Sequence, residues 1–303
     1  MAAAQINGTE IAYQQMGEGP DLVFVHGLAA SRAFWFLQYA MPLSRHFRIT
    51  LFDLRGHGYS GRPDSGYDAA TLAEDLRALL DLLAIERCSL IGHSYGGGVA
   101  MEFAGRHPDR VERLALLDTK LNSLQPEMRM SDSPHVSPFE AEIANKTGRD
   151  WDAETQVGLR FLEDLARWKL AGGGSQARDA FTPFGEGRGA TRTAKQLVDV
   201  LDNTSARSDF VKPGVNAAAI GALKMPVLLI YGEYSRCLPT LRQLQQLLPQ
   251  ARTEMLAQGG HFFPQTHGRA TLALIESFLG LPSRRGDEGK APDAPDVLRS
   301  QVD

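Results

Sequence analysis

The stretch Cys88-Ser-Leu-Ile-Gly-His-Ser-Tyr-Gly-Gly-Gly-Val-Ala-Met101 constrains the fold more than any other part of the chain. Cys88 to Ile91 reads as a short buried strand, and Tyr95 to about His107 as a helix that begins with small residues. Between them Gly92-His-Ser-Tyr-Gly96 fits G-x-S-x-G, a pattern in which the chain turns sharply from strand to helix and leaves a serine at the apex. Glycines at both ends let neighbouring backbone pass close by. The helix start directs backbone N–H groups and a partial positive charge at whatever Ser94 meets. Ser94 is therefore the candidate nucleophile.

The flanking segments repeat a strand–helix rhythm. Residues 5–16 alternate around Asn7-Gly8 and predict an antiparallel hairpin at a sheet edge. Asp21 to His26 and Phe47 to Asp53 are apolar strands with a helix at about Ala33 to Leu43 between them. Leu72, Leu76, Leu79, Leu80 and Leu83 recur at helical spacing within 69–84. Val111 to Asp118 is a further strand. From Thr119 to about Leu223 the rhythm breaks into helical pieces at about 137–146, 152–170 and 190–203, with Gly172–Gly174 and Phe184-Gly-Glu-Gly-Arg-Gly189 read as joints. It resumes with a strand at Pro226 to Gly232, a helix near Thr240 to Leu248, a strand at Arg252 to Ala257 and a last helix from about Gly268 to Gly280. Alternating helices and near-continuous apolar strands predict a mainly parallel sheet covered on both faces. The core is expected in 1–118 and 224–281, a helical insertion in 119–223 and a disordered tail in 282–303.

Composition narrows the function classes. The chain has 303 residues, 43% of them hydrophobic, and a formal charge of -4 with no long basic run. Neither a nucleic-acid partner nor a membrane surface is expected. No apolar run is long enough to span a bilayer and the start lacks a signal-peptide pattern, so the expected location is cytoplasmic. Two cysteines, Cys88 and Cys237, make neither a disulfide framework nor a metal pattern, and no cofactor or metal is expected.

Four motifs in order, His26-Gly27 after a strand, Asp53-Leu-Arg-Gly-His-Gly-Tyr-Ser60, Gly92-His-Ser-Tyr-Gly-Gly97 and Gly259-Gly-His261, resemble the α/β-hydrolase superfamily from residue 5 to about 280. The resemblance implies a mostly parallel eight-stranded sheet, a helical lid after strand six, and a serine–acid–histidine triad. His261, in a late loop behind two glycines, fits the general base that a serine hydroxyl needs. His267 is a weaker rival. Tyr95 supplies one backbone N–H of an oxyanion hole, and the resemblance makes Leu28 the other.

The acid departs from the family's commonest pattern. In Gly232-Glu-Tyr-Ser-Arg-Cys237, Ser235 stands where aspartate is usual. Asp118, at the end of strand six, is the preferred replacement, since certain polyketide-releasing thioesterases of the superfamily resemble this arrangement. Glu233 is the alternative. Cys237 lacks a histidine partner of its own; Ser235, Arg236 and Cys237 are read as pocket wall or a lid contact, with a contact to an anionic substrate group or a carrier's phosphopantetheine as the alternative for Arg236. These readings together predict a serine hydrolase that cleaves a thioester or ester through an acyl-Ser94 intermediate. The acyl substrate is a small molecule, or one presented by a carrier protein. An acyltransferase on the same triad and a non-catalytic binding protein on the same fold are the alternatives.

Overall fold

The computed structural model describes residues 2–173, 184 and 187–282. Eight strands form one sheet in the order β1-β2-β4-β3-β5-β6-β7-β8. They are β1 (Ala2–Ile6), β2 (Thr9–Met16), β3 (Asp21–Val25), β4 (Arg48–Phe52), β5 (Cys88–His93), β6 (Val111–Leu117), β7 (Val227–Gly232) and β8 (Arg252–Leu256). The β1–β2 hairpin turns at Asn7-Gly8, both in the left-handed region, and β2 runs antiparallel to β4. Every other pairing is parallel.

Strands β3 to β7 are apolar on both sides because helices cover both faces. On one face Val23, Val25, Leu90, Leu114, Leu116, Val227 and Leu229 pack beneath the helices Ala69–Leu82, Tyr95–Arg106 and Leu238–Leu247. On the other, Leu22, Phe24, Ile91, Ala115, Leu117, Leu228 and Ile230 pack against Trp35, Tyr39, Leu43 and Ile275. The helix Ala69–Leu82 starts where the Asp68 carboxylate accepts the Thr71 N–H (3.0 Å), and buries Leu72, Leu76, Leu79 and Leu80. The helix expected at Ala33 to Leu43 is present, but its middle, Phe36–Ala40, is wound as a π-helix.

Between β6 and β7 lie the helices Pro138–Thr147, Val157–Leu170, Gly187–Asn203, Ala206–Asp209 and Ala217–Gly221. The first four share a separate apolar cluster containing Phe139, Ile143, Leu165, Leu197, Val200 and Leu201, while Ile220 of the fifth joins the main core. The Gly187–Asn203 helix starts three residues before the expected 190, so Gly187 and Gly189 belong to its first turn rather than to a joint. First-turn N–H groups have no intrahelical partner in any case, so glycine costs less there than in a helix interior. Gly172 is left-handed, at φ 86°, after the Val157–Leu170 helix. Gly174, Gly185 and the tail from 283 onward lie outside the described residues. No helix among the described residues is long and apolar enough to cross a membrane.

Candidate active site

Ser94 sits at the carboxyl edge of the sheet, between β5 and the helix Tyr95–Arg106, with φ 55° and ψ -124°. This sparsely populated conformation is the strained apex that the glycine pattern predicts. The glycines are required by close approach. A Cβ on Gly96 would lie 2.3 Å from the His26 carbonyl oxygen, and one on Gly92 would lie 2.6 Å from that of Gly96. The sheet itself fixes the edge residues. The Ser94 N–H donates to the Leu117 carbonyl (2.9 Å), and the Asp118 N–H to that of Ile230 (2.8 Å). Each extends the parallel pairing one residue past its strand. Asp118 is also left-handed, at φ 47°.

Side chains from three separate strand ends meet here. His261 Nε2 lies 2.9 Å from Ser94 Oγ, and His261 Nδ1 lies 2.6 Å from Asp118 Oδ2. Asp118 is fully buried and accepts two further hydrogen bonds, from the Gly232 N–H (3.0 Å) and from Ser235 Oγ (2.6 Å). Such a carboxylate holds the Nδ1 proton of the imidazole and leaves Nε2 free to face the serine. Ser235, at the position where the resemblance expects an acid, hydrogen-bonds to Asp118.

The other candidates fall elsewhere. Glu233 Oε2 accepts the Gln258 N–H (2.8 Å) on the exposed side of the loop and is not brought to His261. His267 Nδ1 pairs with Thr266 Oγ1. Burial, then the neighbouring Asp118, pushes the Cys237 thiol well above its usual range, so the group stays protonated beside the acid. Arg236 forms an ion pair with Glu140 of the helix Pro138–Thr147. His57 is buried and hydrogen-bonds to the Arg55 carbonyl (3.0 Å).

Two histidines brace the site in ways the sequence did not disclose. His93 Nε2–H donates to the His261 carbonyl (2.9 Å), and its ring stacks on Phe34 at 4.9 Å. Burial, with His261 next in effect, pushes His93 well below the usual histidine range, so it stays neutral. His26 Nδ1–H donates to the Gly27 carbonyl (2.8 Å), while Nε2 accepts the Leu54 N–H (3.1 Å). Burial brings its pKa down to about 4, which keeps this tautomer. The pinned Gly27 carbonyl shares a planar trans peptide with the Leu28 N–H, so that N–H is fixed on the opposite side. Among the described residues, neither the Leu28 nor the Tyr95 N–H donates to a protein acceptor.

Two cavities meet at Ser94, His261, Leu28, Leu162 and Phe262. One of about 260 Å³ runs past Ser31, Phe34 and Thr193. The other, about 630 Å³, runs beneath the insertion, where Phe139, Leu159 and Phe161 form apolar wall and Lys120, Asn122 and Gln156 form polar wall. This size suits a small-molecule ligand.

The family model for the α/β hydrolase fold matches residues 20–267. An uncharacterized protein of Mycobacterium tuberculosis is 39% identical over 297 residues, covering 90% of this chain and 79% of the relative. A non-heme chloroperoxidase of Kitasatospora aureofaciens is 29% identical over 265 residues, covering 84% and 90%. Among solved structures, the enol-lactonase from Burkholderia xenovorans LB400 superposes with a TM-score of 0.63 at 25% identity, covering 92% of this chain and 100% of that one. With an eight-stranded sheet in this order and the glycine elbow at the end of β5, the chain belongs to the α/β-hydrolase family.

Proposed function

We propose that the protein hydrolyses an ester or thioester through an acyl-Ser94 intermediate. The unbroken line of hydrogen bonds from Ser94 Oγ through His261 to Asp118 carries this reading. Ser94 Oγ attacks the substrate carbonyl carbon as its proton passes to His261 Nε2. The carbonyl oxygen becomes an oxyanion held by the Leu28 and Tyr95 N–H groups, each worth roughly 2.7–4 kcal/mol of transition-state stabilisation. Collapse expels the alcohol or thiol, which leaves with the His261 proton. A water then gives its proton to His261 and attacks the acyl carbon, and Ser94 departs with that proton as the acid is released.

The helices between β6 and β7 serve as the lid in this account, since Phe139, Leu159 and Phe161 roof the cavity that reaches Ser94. Lid residues set which acyl chains enter. The strand-six acid favours thioesters narrowly over oxygen esters through its likeness to chain-releasing thioesterases. The likeness to an enol-lactonase agrees with attack on an ester carbonyl. The test is a panel of p-nitrophenyl esters against acyl-CoA and acyl-carrier thioesters, with alcohols and amines added as acceptors. Hydrolysis faster on thioesters and unaffected by acceptors supports a thioesterase. Acceptor-dependent product shifts the assignment to acyl transfer. A protein that turns over none of them and takes no fluorophosphonate on Ser94 is a binding protein on this fold.

A further inference from the structure

Lys120 lies two residues past Asp118, on the wall of the larger cavity, and the mechanism above leaves it without a task. Its ammonium donates to Asn122 Oδ1 (2.7 Å) and Gln156 Oε1 (3.5 Å), both neutral carboxamides of the same wall. No carboxylate pairs with it among the described residues. Neither group that faces it forms an ion pair with it. Cys237 is a protonated thiol. Asp132, whose negative charge offsets part of the cost of burial, spends its hydrogen bonds on the Arg129 N–H (2.8 Å) and Gln125 Nε2 (3.2 Å). Loss of hydration on burial brings the Lys120 ammonium down to about 8, so it is still mostly charged at neutral pH.

The remaining charges on this wall cancel. Arg236 is paired with Glu140, and His135 is stacked on Tyr234 at 4.1 Å. The cavity thus presents one positive charge without an ion-pair partner among the described residues, beyond an apolar stretch and in the same space as Ser94. A partly desolvated cation without a counter-ion is costly, and a bound anion removes that cost. A monoanion matches the charge, whereas a phosphate dianion would leave an excess negative charge near Glu140. We propose that Lys120 selects substrates bearing a carboxylate remote from the scissile carbonyl, such as monoesters or monothioesters of dicarboxylic acids. This rests on the ester-hydrolase reading of Ser94 and names its substrate class.

The test compares p-nitrophenyl hydrogen esters of adipic, pimelic and suberic acids with p-nitrophenyl alkanoates of equal length, on wild type, Lys120→Met and Lys120→Arg. A second arm carries the carboxylate on the alcohol, as 6-acetoxyhexanoate against hexyl acetate. Circular dichroism controls for folding. In one arm wild type should favour the acidic substrate in kcat/KM. Lys120→Met should lower that acidic-to-neutral ratio at least 10-fold, mainly through KM, and Lys120→Arg should restore most of it. Calorimetric binding of monoethyl suberate to Ser94→Ala should weaken about 10-fold when Lys120→Met is added. If esters are turned over and the ratio is the same with and without Lys120, the inference is overturned while the hydrolase reading stands. If no ester is turned over but monoethyl suberate binds in a Lys120-dependent way, the hydrolase reading falls and the carboxylate site stands. Equal loss on acidic and neutral substrates makes Lys120 a structural residue and overturns the proposal.

Discussion

Replacing Asp118 by asparagine probes the least conventional part of the site. Asp118 Oδ2 accepts from both His261 and Ser235, and Oδ1 from the Gly232 N–H. An asparagine that keeps its carbonyl toward Gly232 turns an NH₂ toward His261 Nδ1. Two donors then face each other, and the imidazole relaxes to the tautomer with its proton on Nε2, which cannot take the proton of Ser94. The expected loss in kcat is about 10⁴-fold, or about 5.4 kcal/mol of transition-state stabilisation, the size seen when a serine-protease triad aspartate becomes asparagine. The structure adds a rescue. Ser235 Oγ lies 2.6 Å from the Asp118 oxygen that meets His261, so Ser235→Asp in the Asp118→Asn background puts a carboxylate at the family's usual position. Recovery of 10- to 100-fold in kcat is expected. Ser235→Asp alone should slow the enzyme, because two carboxylates sharing one site force one of them to take up a proton. Glu233→Gln should cost less than about 2-fold, since it loses only an exposed contact with Gln258, a surface interaction of small worth. Steady-state kinetics on the best ester of the panel, with circular dichroism as a folding control, reads all four. Asp118→Asn retaining more than a tenth of wild-type kcat, or Glu233→Gln abolishing activity, would refute the assignment of the acid.

Other consequences follow from neighbouring residues. His93→Phe keeps the ring that stacks on Phe34 but removes the hydrogen bond to the His261 carbonyl. A bond of that kind contributes roughly 0.5–1.5 kcal/mol, so kcat should fall about 2- to 10-fold with KM nearly unchanged. Gly97→Ala would set a methyl 1.8 Å from Thr119 Oγ1; overpacking of this kind costs about 1–3 kcal/mol, a lowered Tm that Thr119→Ala should partly restore. Glu163 accepts hydrogen bonds from Arg207, then Arg167 and Arg160, and these hold its carboxyl at about 2, down from 4.5. A carboxyl held lower in the folded state contributes stability that is complete above its ordinary value and is lost as pH falls toward about 2. The Tm difference between wild type and Glu163→Gln should therefore be greatest above pH 5 and vanish near pH 2.

The sheet was legible because buried parallel strands are nearly all apolar. Leu22 to Val25 and Leu114 to Leu117 are fully buried and read as unbroken runs. Ser94 was legible because the elbow tolerates no Cβ at Gly92 or Gly96, which leaves a local mark in the sequence. The missing strand-seven aspartate was also visible, as Ser235. Asp118 was named as its replacement through the family resemblance, but the Ser235–Asp118 hydrogen bond was not legible, because the two meet across 117 residues of chain. His93 gave no signal at all: its partner is a backbone carbonyl 168 residues away, which leaves no side-chain pattern. The isolation of Lys120 depends on what the insertion places opposite it, Gln156 and the Glu140–Arg236 pair, and no local motif encodes that. Helix ends slipped by a few residues, as at Gly187.

The proposed mechanism requires Ser94 to carry the acyl group. Intact-mass and peptide spectrometry after treatment with a fluorophosphonate measures this directly. One adduct per chain is expected, on the peptide containing Ser94, with esterase activity lost in proportion, and none on Ser94→Ala. An enzyme that hydrolyses esters while Ser94 stays unlabelled, or a Ser94→Ala variant that keeps wild-type activity, would contradict the account.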